Sequence, residues 1–369
     1  MDQPGTPILD LDTPALIIDL DAMERNVARM AAFFADKPAK LRPHFKTHKC
    51  VELARRQLAA GAAGLTVAKV SEAEVLVEAG GRKRAAEAAC DDILIANQVV
   101  GARKAERLMR LARSARMTVA VDSPANVAEL AEAAEAEGVR LRVLVEVDVG
   151  MGRCGLRRIE DAVALAREVD RADGLDFAGL MGWEGHACFI EDRRKRIAAG
   201  REAMARLIAA RDAVLKAGLP VEVVSAGGTG TFDVSGTYPG VTEIQSGSYI
   251  LMDAKYRGLN LGFENALTCL ATVISRPERD LAITDAGRKA LSEEFGFPPP
   301  LDLPGAESFR SSEEHGFIRL NGAEASVGQK IRLLPTHVCT TVNLHDQFYA
   351  VREGRLQAIY AIAARGKIQ

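Results

Sequence analysis

The sequence predicts an α/β chain built as a (β/α)8 TIM-type barrel with a second, smaller C-terminal β domain. Three observations carry that prediction. Over the first two-thirds, short β-branched runs alternate with longer amphipathic segments, the pattern of βα units around a parallel sheet. After about Asp253 the rhythm changes to short runs parted by Gly-, Pro- and Asn-rich turns with no long helix between them, which reads as a β domain. Polar residues gather where the strands of the first part would end, as they do when eight loops converge on one pocket.

Taken in order, the chain opens with a strand, Pro14–Asp19, and a helix, Asp21–Phe34. Residues 1–20 stand outside the barrel count and are expected to pack with the β domain. The barrel is expected over 21–253, with strands at Leu41–Phe45, Leu65–Val67, Ile93–Ala96, Thr118–Val121, Leu141–Val147, Phe177–Leu180, Glu222–Val224 and Thr242–Ile244. Helical segments lie between them, among them Val51–Ala60, Ser71–Ala79, Ala102–Ala112 and Asp192–Ala217. Eight strands in this rhythm mean a closed barrel rather than an open sheet. The β domain, 254–369, is expected to use Leu267–Ile274, Leu281–Thr284, Gly316–Leu320, Lys330–Leu334 and Gln347–Val351. The stretch Gly80–Cys90 reads as a surface loop without functional meaning.

Composition narrows the partners. The 369 residues carry 48 Lys and Arg against 50 Asp and Glu, net charge −2, with no basic block of the kind a nucleic-acid binder needs. A small-molecule substrate is the expectation. No apolar run reaches the length of a membrane span. The six cysteines are scattered without a CxxC pair, and no secretory apolar segment opens the chain, so reduced thiols and a cytoplasmic location are expected.

The strand ends carry the chemistry. The first ends in Pro43-His-Phe-Lys-Thr-His-Lys49, and a primary amine placed there, with cationic neighbours to lower its pKa, suits a carbonyl cofactor such as pyridoxal 5'-phosphate. On position, Lys46, Lys49 and Lys69 all qualify, although Lys49 falls in the first turn of the following helix. The seventh strand ends in Ser225-Ala-Gly-Gly-Thr-Gly-Thr231, where barrels commonly bind phosphate through backbone N–H groups. A lone GGTG is more often a tight turn; the adjoining Gln245-Ser-Gly-Ser-Tyr249 at the eighth strand favours the anion reading. In Thr336-His-Val-Cys339 an i, i+2 pair on an extended segment would face one side, so His337 and Cys339 could grip one metal ion. Two ligands suit only an open catalytic site, and a buried histidine beside a core cysteine is the plain alternative. His345-Asp346 could assist or cap a turn.

These strings resemble the fold-type III pyridoxal-phosphate (PLP) enzymes of the D-threonine aldolase and D-serine dehydratase group, from about Leu11 to Lys367. The resemblance rests on Arg42-Pro-His-Phe-Lys-Thr-His-Lys49, Lys69-Val-Ser-Glu-Ala73, Glu146-Val-Asp-Val-Gly-Met-Gly-Arg-Cys-Gly155, Gly227-Gly-Thr-Gly-Thr231, Glu243 to Asp253, Glu314-His-Gly316 and His337 to Asp346. It implies an alanine racemase-like architecture and a homodimer. It implies that Lys46 is the Schiff-base lysine, that Arg153 lies near the pyridine ring, and that Gly228, Thr229, Gly230, Gln245, Gly247, Ser248 and Tyr249 surround the cofactor phosphate. It further implies that His337 and Cys339 bind a divalent metal, zinc, manganese or magnesium. Three positions depart from the aldolase members: Cys339 stands where they carry Asp, as in the dehydratases, Ala68 replaces a glutamine, and Glu184 stands where they carry His, with His186 two residues later. Glu184 and His186 are therefore the candidates for the general base.

The implied activity is that of a lyase on D-β-hydroxy-α-amino acids. Removal of the hydroxyl proton breaks Cα–Cβ and gives glycine and an aldehyde; removal of the Cα proton by Lys46 expels hydroxide and leads to a keto acid and ammonia. The aldolase reading leads on the strings Gly227 to Asp253 and His337 to Asp346, and the D-serine or D-threo-3-hydroxyaspartate dehydratase reading follows on Cys339. A non-catalytic PLP-binding protein is the third, and the added β domain with its metal pair speaks against it.

Overall fold

The computed structural model describes residues 3–81 and 91–369. A 3-10 turn at Ile8–Asp10 precedes β1 (Ala15–Asp19) and α1 (Leu20–Phe34), and the residues divide into two compact units.

The larger unit comprises Met30–Lys46, Leu53–Gly247 and Lys367–Gln369. Its eight strands are β2 (Lys40–Leu41), β3 (Leu65–Val67), β4 (Asp92–Gln98), β5 (Arg116–Val121), β6 (Leu141–Glu146), β7 (Leu175–Met181), β8 (Val223–Ala226) and β9 (Glu243–Ile244). They pair in the order β2-β9-β8-β7-β6-β5-β4-β3, every pair parallel. A parallel bridge between His44 and Thr66, with the Thr66 N–H donating to the Pro43 carbonyl at 2.9 Å, joins the two ends of that order. Parallel strands need a crossover, and the crossovers here are helices, among them α2 (Val51–Ala59), α3 (Val70–Gly81), α4 (Ala102–Ala112), α5 (Pro124–Glu137), α6 (Ile159–Arg171) and α8 (Arg193–Lys216). Their sequences explain their bounds. In α5, the Ser123 hydroxyl accepts from the Asn126 N–H at 3.2 Å, Pro124 fills the first helical position, and Gly138 closes the helix at φ +62°. In α8, the Asp192 carboxylate accepts from the Lys195 N–H at 2.9 Å. Among the strands, Leu94, Ala120, Leu144, Ala178 and Met181 form a buried cluster, so the sheet's interior is a packed core and not a pore.

The second unit comprises residues 3–29, Thr47–Glu52 and Ser248–Gly366. Its sheet runs β12 (Glu307–Ser311), β13 (Gly316–Arg319), β11 (Leu281–Thr284), β10 (Leu267–Glu278), β1, β15 (Gln347–Arg352) and β16 (Arg355–Ala361), with β14 (Lys330–Leu333) also paired to β10. The N-terminal strand sits mid-sheet, antiparallel to β10 and parallel to β15, and packs Ala15 and Ile17 with Leu11, Leu270, Val351 and Leu356.

Several elements differ from the sequence expectation. The first barrel strand is only Lys40–Leu41, because Pro43 has no N–H to give the ladder and the chain turns away into a short 3-10 turn, Phe45–Thr47. Strands β12 and β16 were not expected; β12, sequence ESFRS, has no fully buried residue and so no alternation to read. Of Gly80–Cys90, the first two residues end α3 instead of forming a loop, and the other nine lie outside the described residues. Among the described residues no helix is long and apolar enough to cross a membrane.

Candidate active site

The barrel unit gathers most of its candidate side chains behind the C-terminal ends of the strands. Lys46 lies in the turn after β2, Arg153 after β6, Trp183 after β7, Gly227–Thr231 after β8 and Gln245 after β9. Trp183 is the chain's single tryptophan, and its ring organises the group. The Lys46 Nζ stands 5.5 Å from the ring centroid and the Arg153 guanidinium 4.7 Å from it. A Cβ built on Gly228 would lie 3.2 Å from the indole Nε1, so the glycine loop abuts the same ring. Sequence reasoning missed Trp183, although an apolar ring at the end of a barrel strand was a usable signal.

Arg153 has a second tether. Glu146, the last residue of β6, is 3% exposed; one of its oxygens lies 3.8 Å from the Arg153 Nη2, and the other accepts from the Gln98 Nε2 at 2.5 Å. Burial pushes the Glu146 carboxyl above its ordinary value, against the Gln98 hydrogen bond and the Arg153 charge, which pull it down.

The loop after β8 is packed from behind. A Cβ on Gly228 would lie 2.7 Å from the Cys188 Sγ, and one on Gly230 would lie 1.9 Å from the Cys188 carbonyl, so these positions are glycine because the short helix α7 (Gly185–Cys188) presses on them. Glu184, which caps no helix N–H, is wholly buried. Its Oε2 accepts from the Gly227 N–H at 3.1 Å, and its Oε1 accepts from the Thr231 hydroxyl at 2.6 Å and from the Ser235 hydroxyl. Ser235 ends α9 (Phe232–Ser235), the turn that follows the glycine loop. With both oxygens engaged, Glu184 is poorly placed to act as the base the sequence suggested. His186, the other candidate, is exposed and lies beside Gly150. The Cys188 thiol is pushed up to about 12, by burial first and by Glu184 second, so it is inert at neutral pH.

The residues fit a phosphorylated cofactor. Gln245 is held by a 2.8 Å hydrogen bond from its Nε2 to the Ser225 hydroxyl. The next residue, Ser246, keeps a buried hydroxyl that no group among the described residues satisfies, and a phosphate oxygen would supply what it lacks.

In the second unit, the rival Lys49 donates from Nζ to the Ala364 carbonyl at 3.3 Å. Tyr249 is fully buried, its ring 5.7 Å from that of Phe263, and follows Ser248 in a 3-10 turn. His337 and Cys339 do not lie on one extended segment: His337 is the N-cap of α11 (Val338–Val342), and Cys339 falls in its first turn. The cause is Asp253, buried 85 positions back. Its Oδ2 accepts from the Val338 N–H at 3.0 Å, and its Oδ1 caps α10 (Ala254–Arg257) through the Tyr256 N–H at 2.9 Å. Burial opposes the charge on His337, but Cys339 and Glu294 outweigh it and raise the imidazole to about 9, the Glu294 carboxylate lying 2.5 Å from Nδ1. The Cys339 Sγ is 3.6 Å from the hydroxyl of Thr47, the residue after Lys46 in the chain. His345 does not join the pair; it bonds the Ala290 carbonyl at 2.7 Å. Among the described residues no group of three or more His, Cys, Asp or Glu is arranged to hold a metal ion.

Comparison with known proteins adds a consistent set of likenesses. Residues 18–255 match the family model of the alanine racemase N-terminal domain, and residues 266–351 a serine dehydratase domain. A D-threonine aldolase of Arthrobacter sp is 42% identical over 375 residues, covering 99% of this chain and 95% of its own. The crystal structure of a D-threonine aldolase from Filomicrobium marinum superposes with a TM-score of 0.95 at 41% identity, covering 100% of this chain and 99% of its own. A cysteine-to-alanine variant of a D-threo-3-hydroxyaspartate dehydratase, solved in the metal-free form, gives a TM-score of 0.86 at 31% identity, covering 96% of this chain and 98% of its own.

Proposed function

Because the chain belongs to the alanine racemase N-terminal-domain family, and within it to the PLP-dependent lyases related to D-threonine aldolase, we propose that it cleaves D-β-hydroxy-α-amino acids to glycine and an aldehyde. The observation that carries this reading is the meeting of Lys46, Arg153 and the Gly228 loop around one indole.

When bound, PLP would supply an electron sink for the bonds at the substrate's Cα. Lys46 would hold the cofactor through its amine and return to it after turnover. Arg153 would face the ring nitrogen, steered by Glu146 and by the Trp183 face. Gly228, Thr229 and Gly230 would lie around the phosphate, with Gln245, Ser246, Gly247, Ser248 and Tyr249 from the following loop. His337 and Cys339 would supply two protein ligands to a divalent ion, zinc, manganese or magnesium, whose Lewis acidity would act on the substrate's β-hydroxyl. His186 is the remaining candidate for the base that takes the hydroxyl proton.

A second reading, dehydration to a keto acid and ammonia, is favoured by one residue: Cys339, a thiol where the aldolases carry a carboxylate. A homodimer in the cytoplasm completes the proposal, and the five described cysteines, all free thiols, support a reducing compartment.

The test is a product assay. PLP-loaded, metal-supplemented protein is given D-threonine, D-serine and D-threo-3-hydroxyaspartate, with and without a chelator. Glycine and aldehyde in stoichiometric amounts, lost on chelation and restored by a divalent cation, are expected; keto acid and ammonia as the main products would replace the aldolase reading by the dehydratase one. Full turnover after chelation, with metal analysis to match, would return His337 and Cys339 to a structural role.

A further inference from the structure

We infer that Glu184 is a positioning residue that holds the phosphate-binding loop in shape and takes no proton from substrate; this rests on the PLP reading above. A fully buried carboxylate is costly unless charges or hydrogen bonds satisfy it. Among the described residues Glu184 has no ion-pair partner. Its whole compensation comes from three donors within nine residues: the Gly227 N–H, the Thr231 hydroxyl and the Ser235 hydroxyl. Those donors bracket the glycine loop, one at its first residue, one at its last and one at the end of the turn that follows.

The choice of an anion behind an anion site needs a reason, since Coulomb repulsion works against it. Glycine supplies it. Gly227 sits at φ +86°, so the loop's native shape is one that its own glycines do not enforce. A carboxylate accepts at both oxygens and donates nowhere, so it can draw in all three donors at once, and the Thr231 hydroxyl that donates to it in turn accepts from the Gly228 N–H at 3.4 Å. The same turn brings Cys188 and Trp183 against Gly228 and Gly230, which makes residues 183–188 a buttress for the loop.

The single tryptophan gives a readout independent of turnover, because Trp183 adjoins Gly228 and its fluorescence should fall as PLP binds. Apo-protein is titrated with PLP for wild type, Glu184→Gln, Glu184→Ala and Ser235→Ala. Three hydrogen bonds to a charged group set the scale, so Glu184→Ala is expected to bind PLP roughly 10- to 100-fold more weakly. Ser235→Ala, which keeps the carboxylate and removes one donor, should weaken binding by a smaller factor. Glu184→Gln keeps an acceptor for Gly227 and can donate to the two hydroxyls once they rotate, so it should bind PLP nearly as wild type and turn over with an unchanged pH profile. A Glu184→Gln variant that binds PLP normally but has lost turnover would make Glu184 the base and overturn the inference. Unchanged PLP affinity in Ser235→Ala and Glu184→Ala overturns it too. If Glu184→Ala does not fold, Glu184→Gln and Ser235→Ala decide between these outcomes. Wild-type protein with no saturable quenching overturns the cofactor reading itself and this inference with it.

Discussion

The two mouths of the barrel use the same residue types in opposite ways. At the N-terminal mouth, a cavity of about 270 Å³ is lined by Lys40, Arg42, Arg116 and Arg142 together with Asp92 and Glu222. Its charges are neutralised by one another. Arg42, with its side chain 11% exposed, lies 2.7 Å from Asp92 and 2.8 Å from Glu243, and Arg142 lies 2.9 Å from Glu222. Burial works against the Arg42 charge, and the two carboxylates more than offset it. At the C-terminal mouth the cations face an aromatic ring instead: Lys46 and Arg153 share Trp183, and Arg153 has only a 3.8 Å approach to Glu146. A cation–π contact at a partly exposed site contributes about 0.5–1 kcal/mol, too little to lock a side chain. The carboxylate at this end, Glu184, is satisfied by neutral donors from the glycine loop. One end has its charges committed to holding the strands together, and the other keeps its cations available to a ligand.

The largest effect that tests this contrast is Lys46→Ala. Under the proposed function turnover should fall by about 10³-fold or more, because Lys46 would both bind the cofactor and move protons. The folded protein should persist, because Lys46 holds no ion pair among the described residues. In the wild type, borohydride should fix the cofactor on Lys46; a label on Lys49 or Lys69, read by peptide mapping, would break the assignment.

Arg42→Ala should do the reverse. It leaves Asp92 and Glu243 without their shared partner, and breaking a buried pair in this way costs about 3–5 kcal/mol. Denaturant unfolding should show that loss, while PLP affinity and turnover of the folded fraction stay as in wild type. A variant that keeps its stability and loses PLP binding instead would mean that the two mouths are not separate in function.

The contrast shows what was legible in the sequence and what was not. The loops that carry Lys46 and Gly228 could be picked out because the rule that barrel chemistry follows the strand ends needs only the β-branched runs before them, whereas the choice of Lys46 over Lys49 and Lys69 and the role of Arg153 rest on the family resemblance. Trp183 could not be assigned a role, because its meaning is that two cations from the loops after β2 and β6 rest on one ring, a relation no spacing in the chain encodes. Glu184 reads as a base only because it stands where the aldolases that the chain resembles carry a histidine; its three donors lie 43 to 51 positions away. The helix at Cys339 was hidden for a like reason, since its cap comes from Asp253. Periodicity reports which face of an element is buried, and it is silent on which distant donor a buried acceptor finds.

Glu146→Gln gives the smallest effect and the finest test, because Glu146 is the point where the C-terminal mouth most resembles the other end. Its carboxyl is raised above the ordinary glutamate value, by burial first. A raised acid binds its proton more tightly in the folded state than in the unfolded one. Its contribution to stability is therefore fully present below the unfolded value and is lost as pH rises through the folded one. Wild type should lose stability over that window, and Glu146→Gln, which keeps a side-chain oxygen for Gln98 and has no charge to bury, should lose less. Parallel stability curves across the window would mean that Arg153 already neutralises Glu146 as fully as Asp92 and Glu243 neutralise Arg42, and the contrast between the mouths would shrink to one of degree. Diverging curves, together with a shift in PLP affinity no larger than a few-fold, would place Glu146 as the guide that aims Arg153 without immobilising it.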